Sequence, residues 1–371
     1  MDLTDFDFSL RWPRELFLWE ARRIATQRRS SSFINMVVCL FSEAFVDGDI
    51  AGSVEQLSST SGSWFTPVAT PNSDADNLLD ALLKNPSLAH AYEPPTYWLE
   101  RQSGPSRAGL RKSLARAYVE LIDEMREVDY FPKVLPKGCV DDGSTWQEFL
   151  DHASSEISRA IRTDVRWPID DSALSIPDDV LYSVIEYLHD QAQRPRTRGF
   201  HSYADCGWHY GDHNKESGGV VYRWRVNELL DRYDVGLRLG SKGAEKGRLV
   251  RHSRFDLDDL AEELTEVSSE GHGGKVASAI RLYRARASTV HDRRAAVAQL
   301  AGILESARQT LKSGEFAKGD ESALFNIFNN FAIRHDNERQ QGAYGDEYLD
   351  WIFWTTLAAV QLLGELERRT S

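Results

Sequence analysis

Apolar residues recur at helical spacing through most of this chain. Near the C-terminus Leu324, Ile327, Phe328 and Phe331 fall at i, i+3, i+4 and i+7, and Leu349, Ile352, Phe353, Val360 and Leu363 line one face of a following segment. Upstream, Val297, Leu300, Leu304, Ala307 and Leu311 share a face of a long helix expected from His291 to Lys312, preceded by a helix from Val276 to Arg286. Further helices are expected at Trp12 to Arg29, Phe33 to Phe45 and Ser106 to Val128. Between them lie a Ser/Thr/Pro-rich surface loop (Ser58 to Asn72) and a break at Glu93-Pro94-Pro95. Ser175-Ile176-Pro177-Asp178-Asp179 opens a helix, with serine as cap, proline in the first turn and acids against the dipole. Its apolar face is Val180, Leu181, Val184, Ile185 and Leu188, and another helix runs through Val226, Leu229, Leu230 and Tyr233. Alternation in Val235 to Leu239 and Arg248 to Val250, around Gly240 and Gly243, predicts a β-hairpin. Ser268 to Gly274 is the best boundary. The expected fold is predominantly α: a helical N-terminal region (1–160), a small mixed α/β unit with the hairpin near 235–250 (161–270), and a four-helix C-terminal unit (271–371).

Composition narrows the function. The 371 residues are 41% apolar and 27% charged, with a net charge of −13, which excludes a protein that coats duplex DNA through bulk electrostatics. Positive charge is nevertheless clustered, at Arg22, Arg23, Arg28 and Arg29, at Arg194, Arg196 and Arg198, and at Arg281, Arg284 and Arg286. Ten tryptophans are too many for the surface alone. The three cysteines, Cys39, Cys139 and Cys206, are odd in number and widely spread, so the expectation is a reducing cytoplasm and no disulfide framework. The apolar stretch Phe33 to Phe41 is far short of the roughly 20 residues a membrane span needs, and no membrane association is expected.

Two constellations carry possible chemistry. The first is the polar run Arg334-His335-Asp336-Asn337-Glu338-Arg339-Gln340 between the two C-terminal helices. A guanidinium at Arg334 and an imidazole at His335, with amides at Asn330, Asn337 and Gln340, suit phosphate or nucleic-acid binding. The bland alternative is a turn whose asparagines cap helices and whose Arg334 pairs with Asp336, Glu338 or Asp350. The second is His201-x4-Cys206-x2-His209-x3-His213, four zinc-type ligands within thirteen residues. Asp205 and Asp212 are placed to orient the rings. Packing by Trp208 and Tyr210, with His209 hydrogen-bonded inside, competes with that reading and is favoured, so no metal and no cofactor are expected. The spacing of Arg286 and His291 matches an Arg…His pair, but Ser288 or Thr289 there reads as a helix cap. Gly271-His272-Gly273-Gly274-Lys275 lacks the residues of a phosphate loop and reads as linker. Asp141-Asp142, Asp170-Asp171 and Asp178-Asp179 read as dipole partners at helix starts.

Several segments together carry a family resemblance. They are Cys206-Gly207-Trp208-His209-Tyr210, Gly218-Gly219, Tyr222-Arg223, Val226-Asn227-Glu228-Leu229-Leu230, Leu304-Glu305-Ser306-Ala307-Arg308, Phe331-Ala332-Ile333-Arg334-His335 and Leu349-Asp350-Trp351-Ile352-Phe353. In pattern, residues 175 to 371 resemble bacterial abortive-infection proteins of the AbiJ-like type, whose C-terminal part is similar to HEPN helical domains. The resemblance implies a phage-defence protein that binds RNA. In its catalytic form it would cleave RNA without a metal, with Arg334 stabilising the charged transition state and His335 as acid or base. In active HEPN domains the histidine follows the arginine after a short spacer, and those positions here hold Arg339, Gln340 and Gln341. Glutamine cannot exchange a proton usefully near neutrality, which leaves His335 as the substitute. The resemblance also implies a homodimer through the C-terminal helices. The other expected function is a non-catalytic scaffolding protein with a degenerate HEPN-like domain, whose N-terminal region meets a protein partner.

Overall fold

The computed structural model describes residues 6–46, 49–60, 73–93, 98, 101, 112–143, 145–169, 176–253, 257–266, 272–313, 320–330 and 345–370. It is predominantly helical with small sheets. The chain divides into two compact units, Met1–Arg225 and Val226–Ser371. The expected boundaries near 160 and 270 therefore both lie inside units.

The first unit begins with β1 (Ser9–Leu10), followed by α1 (Arg14–Ala25), α2 (Phe33–Ala44), α3 (Asp49–Thr60) and α4 (Ser73–Lys84). Next come β2 (His90–Ala91), parallel to β1, then α5 (Leu114–Glu127), α6 (Trp146–Ile161) and α7 (Asp178–Gln191). A hairpin of β3 (Thr197–His201) and β4 (Gly207–Gly211) leads into α8 (Lys215–Arg232), within which the unit ends. α2 is apolar nearly all round, and Phe33, Met36, Val37, Val38, Cys39, Leu40, Phe41 and Ala44 are buried, as befits a central helix. Phe17 of α1 meets Phe45 at 5.1 Å between ring centroids, and Phe45 meets Phe41 at 5.4 Å. α5 is joined to α7 and α8 by a buried relay, in which Tyr118 and Tyr222 share a 2.6 Å hydrogen bond and the Tyr222 hydroxyl donates to the Ile185 carbonyl. The expected face of α7 is buried at Leu181, Val184, Ile185 and Leu188, and the helix starts after Pro177. The proposed serine cap, Ser175, lies outside the described residues.

A fully buried arginine organises this unit. Arg194 Nη1 donates to Glu20 Oε1 of α1 at 3.0 Å and Nε to Glu43 Oε2 of α2 at 2.7 Å. Glu20 also accepts from Ser217 Oγ of α8 at 2.6 Å, and Glu43 accepts from the Tyr130 hydroxyl. Burial alone would pull the guanidinium down, but the Glu43 and Glu20 carboxylates more than offset it and hold Arg194 above its ordinary value. α8 begins flush against the backbone before Arg194. A Cβ on Gly218 would stand 2.4 Å from Gln193 Cα and 2.6 Å from the Ala192 carbonyl oxygen, so only glycine fits.

The second unit opens with the expected hairpin, β5 (Leu237–Leu239) antiparallel to β6 (Leu249–Arg251). Then follow α9 (Asp258–Glu266), α10 (Gly273–Arg284), α11 (Val290–Ser306), α12 (Arg308–Ser313), α13 (Asp320–Asn330) and α14 (Asp346–Thr370). The sequence predicts one small β element, whereas among the described residues there are three two-stranded sheets. The predicted helix from His291 to Lys312 is broken at Ala307, although Val297, Leu300, Leu304, Ala307 and Leu311 are all buried as expected. Leu349, Ile352, Phe353, Val360 and Leu363 are buried on α14, where Phe353 stacks on Tyr283 with centroids 3.7 Å apart. Trp354 is buried, while Trp351 is 41% exposed. Thr289 caps α11 in a reciprocal box with Asp292, the role its sequence position suggests. Buried Arg284 lies 2.8 Å from Asp258 and 3.4 Å from Glu245, and buried Arg293 pairs with Asp346 at 2.7 Å.

Removing one partner from a buried ion cluster leaves the other charge stranded, at a cost of about 3–5 kcal/mol. Arg194→Met, which leaves the Glu20 and Glu43 carboxylates without their shared counter-charge, should therefore lower the unfolding free energy of the first unit by that order, read from denaturant melts. Arg23→Gln, which removes a half-exposed partner of Glu20, should cost about 1 kcal/mol or less.

Candidate metal centre

The β3–β4 hairpin decides which side chains meet. Its antiparallel register pairs Gly199 with His209 and His201 with Gly207. Alternate residues of a strand share a face, so His201 and His209 are diagonal neighbours on one face, with ring centroids 5.4 Å apart. The other face carries Phe200 against Trp208 at 5.2 Å, with the Arg198 guanidinium 4.1 Å from the Trp208 ring. Cys206 stands immediately before β4, and Gly207 takes φ +86°, a left-handed conformation that suits glycine. That turn brings Cys206 Sγ to 3.0 Å from His209 Nε2.

A fourth group arrives from a distant segment. Cys139 begins a short 3-10 turn (Val140–Asp142), and its backbone N–H is held by the Asp142 carboxylate at 2.9 Å. Cys139 Sγ lies 3.8 Å from Cys206 Sγ and 3.7 Å from His201 Nδ1. One ligand atom from each of Cys139, His201, Cys206 and His209 lies within 4.8 Å of all the others. Two thiolates at about 2.3 Å from a tetrahedral zinc stand about 3.8 Å apart, and a thiolate and an imidazole nitrogen about 3.5 Å apart. The sulfur–sulfur and Cys139–His201 separations already match. The Cys206–His209 contact opens by roughly half an ångström to reach the same geometry. His201 turns its other nitrogen, Nε2, toward Asp141 Oδ2 at 3.8 Å, a carboxylate placed to orient the ring through water.

Electrostatics favour a cation here. A backbone hydrogen bond at Asp141 favours the Cys139 thiolate, but desolvation and the adjacent Cys206 sulfur outweigh it and leave the thiol above its ordinary range. Two thiolates this close repel when nothing stands between them, whereas a coordinated divalent ion deprotonates both outright. Soft sulfur with imidazole in a tetrahedral S2N2 set selects zinc among common divalent metals.

The structure brings together His201, Cys206 and His209 of the expected ligand set and replaces His213 by Cys139. His213 Nε2 instead bonds Asp129 Oδ2 at 2.9 Å. The reason is local geometry. β4 ends at Gly211 and Asp212 takes a left-handed φ of 49°, which turns His213 away from the ligand face toward Asp129, so His209 and His213 do not share an ion as they could on one turn of a helix. Asp212 does not orient a ring either, because it pairs with Arg196 at 3.2 Å; the side chain of Asp205 lies outside the described residues. Cys139 has no local spacing to betray it. The one available signal is that Gly138-Cys139 and Cys206-Gly207 each set a cysteine beside glycine, as a tight ligand turn requires.

The other candidates fare as follows. Arg334, His335, Asn337 and Gln340 lie outside the described residues, as does the side chain of Asn330 at the end of α13. Asp350, a suggested partner of Arg334, accepts from the Tyr283 hydroxyl and lies 3.8 Å from Arg293. Many of the clustered arginines are paired with acids from other segments. Arg23 meets Glu216, Arg28 meets Asp76 and Asp80, Arg196 meets Asp212 and Arg198 meets Glu55. Among the described residues no helix is long and apolar enough to cross a membrane. No family model, curated protein or solved structure matches the chain.

The His213–Asp129 pair generates a pH prediction. The hydrogen bond to the Asp129 carboxylate raises the imidazole above its ordinary value. A folded imidazole that holds its proton more tightly contributes stability in full below the unfolded value of about 6.5, and that stability disappears as pH rises through the folded value. The melting temperature lost in His213→Gln should therefore be largest at pH 6 and shrink by pH 9, with bound metal unchanged throughout.

Proposed function

We propose that the first unit is a zinc module in which Cys139, His201, Cys206 and His209 enclose a structural ion, and that this unit works by binding. The observation that carries this is the convergence of four ligand atoms from three chain segments within 4.8 Å. Four protein ligands fill a tetrahedral shell and leave no place for water or substrate, which distinguishes structural from catalytic zinc. The ion would tie the turn at Cys139 to the hairpin across 67 residues of chain. A cross-link over such a loop is worth about 4 kcal/mol, or roughly 8–16 °C in the melting temperature of a unit this size. Protein purified without chelator should carry one zinc per chain. Cys139→Ser should lose the metal and melt lower by that amount. Equal zinc content in wild type and Cys139→Ser would overturn the assignment.

For the second unit the proposed role is RNA binding in a phage-defence setting, with a HEPN-like four-helix arrangement and dimerisation through α14. The segments quoted above from Val226 onward that resemble abortive-infection proteins support it, as does α14, which leaves Tyr348, Trp351 and Leu362 more than 40% exposed opposite its buried face. Cleavage would fall to Arg334 and His335, and the scaffolding alternative needs neither. The expected result is that Arg334→Ala with His335→Ala abolishes RNA binding and any RNA degradation or growth arrest. Identical behaviour of the double variant and wild type would leave the scaffold role.

A further inference from the structure

The first unit also contains a cavity of about 280 Å³ that the metal centre does not use. It lies among α2, the segment just before α1, the C-terminal end of α5, α8 and the base of the β3–β4 hairpin. Its walls are of two kinds. Trp12, Met125, Val128 and Val221 are apolar, while Arg11, Arg198, Arg225 and Tyr210 bring hydrogen-bond donors.

The spare bonding capacity of the cavity is almost all donor. Glu43 lines it, but both of its carboxylate oxygens already accept, one from Tyr130 and one from Arg194. Glu124 is engaged by Arg225 at 2.6 Å. Arg11 has no side-chain hydrogen bond or ion pair among the described residues, and Arg198 Nε is buried without a hydrogen-bond partner. Behind the wall, Arg194 Nη2 is likewise buried and unpartnered, with its guanidinium 5.2 Å from the Trp12 ring. Burial raises the Tyr210 phenol, so it remains a neutral donor. A buried donor without an acceptor costs about 1–3 kcal/mol, and Arg198 Nε on the wall, with the unengaged Arg11 guanidinium at its rim, calls for a ligand that brings acceptors.

The same chemistry argues against catalysis in the cavity. Of the two candidate nucleophiles on its wall, Ser42 donates its hydroxyl to the Cys39 carbonyl at 3.1 Å, and Cys39, pushed up to about 11 by burial, stays at neutral pH a thiol that donates to Asn35 Oδ1 at 3.5 Å. Without a thiolate it does not attack.

From this placement we infer that the cavity is a binding site for a small organic anion: a phosphate or carboxylate head for the guanidinia and Tyr210, on a planar body that packs against Trp12 and the apolar wall. A volume near 280 Å³ lies just under the usual range of ligand pockets, about 300 Å³ upward, and limits the ligand to a small planar body with one anionic group. A nucleoside monophosphate and an aromatic carboxylate both present this chemistry.

Calorimetric titration of the full zinc-loaded chain with each of the four nucleoside 5′-monophosphates, and separately with 4-hydroxybenzoate, distinguishes the two sources. The expected result is saturable binding of one molecule per chain from one of these classes. It should weaken at least tenfold in Arg11→Gln and in Tyr210→Phe, and remain unchanged in Arg368→Gln of the second unit. Arg11 is exposed and Tyr210→Phe keeps the ring, so neither variant threatens the fold. Absence of saturable binding by both classes at millimolar concentration would overturn the inference, as would binding that Arg11→Gln leaves intact. Neither outcome depends on whether Cys139 holds zinc.

Discussion

Arg194 is buried completely, and the geometry of the first unit follows from where its charge is satisfied. Its guanidinium joins Glu20 of α1 to Glu43 of α2, and through Glu20 it reaches Ser217 of α8. Its backbone meanwhile exchanges both hydrogen bonds with Asn214, at 2.9 and 2.8 Å, which closes the base of the β3–β4 hairpin. One residue thus ties the hairpin to three helices. A buried ion cluster is weak evidence for net stability but a strong constraint on arrangement, because every alternative packing strands a charge in the interior.

With the base fixed, the period of two along β3 and β4 does the rest. It sends His201 and His209 to one face and Phe200 and Trp208 to the other, and a one-residue slip would exchange the two sets. Cys206 joins the histidines through the turn at Gly207, and Cys139 meets them from its own short turn. Zinc is suited to such a place. The hairpin has only two strands, and a two-stranded ribbon alone is marginal in water. A metal cross-link to a turn 67 residues away in sequence would supply stability beyond the ribbon's own hydrogen bonds and aromatic pairs.

Much of the helical architecture was legible in the sequence because it depends on periodicity within a segment. Apart from the half-buried Val180, the faces of α7, α11 and α14 are buried at the residues their spacing names, and Thr289 caps α11 as its position suggests. The β5–β6 hairpin was legible through its glycines. The β3–β4 hairpin was missed, since Arg194 to His213 is so rich in polar and aromatic residues that strand alternation is masked. The metal centre was half legible for the same reason. His201, Cys206 and His209 stood out by their density, but their spacing suggested His213, and only the hairpin register excludes it. Cys139 depends on tertiary approach and has no local signature. The arginine clusters misled in the opposite way. Their charge is local in sequence, but acids from other segments meet Arg23, Arg28, Arg194, Arg196, Arg198 and Arg284, which takes much of that charge away from any basic surface.

X-ray absorption at the zinc edge on the full chain tests the metal assignment most directly. The predicted spectrum has two sulfur ligands at about 2.3 Å and two imidazole nitrogens at about 2.0–2.1 Å, with one sulfur lost in Cys206→Ser and no change in His213→Gln. A shell made only of oxygen and nitrogen, or protein purified under reducing conditions without any bound metal, would contradict it.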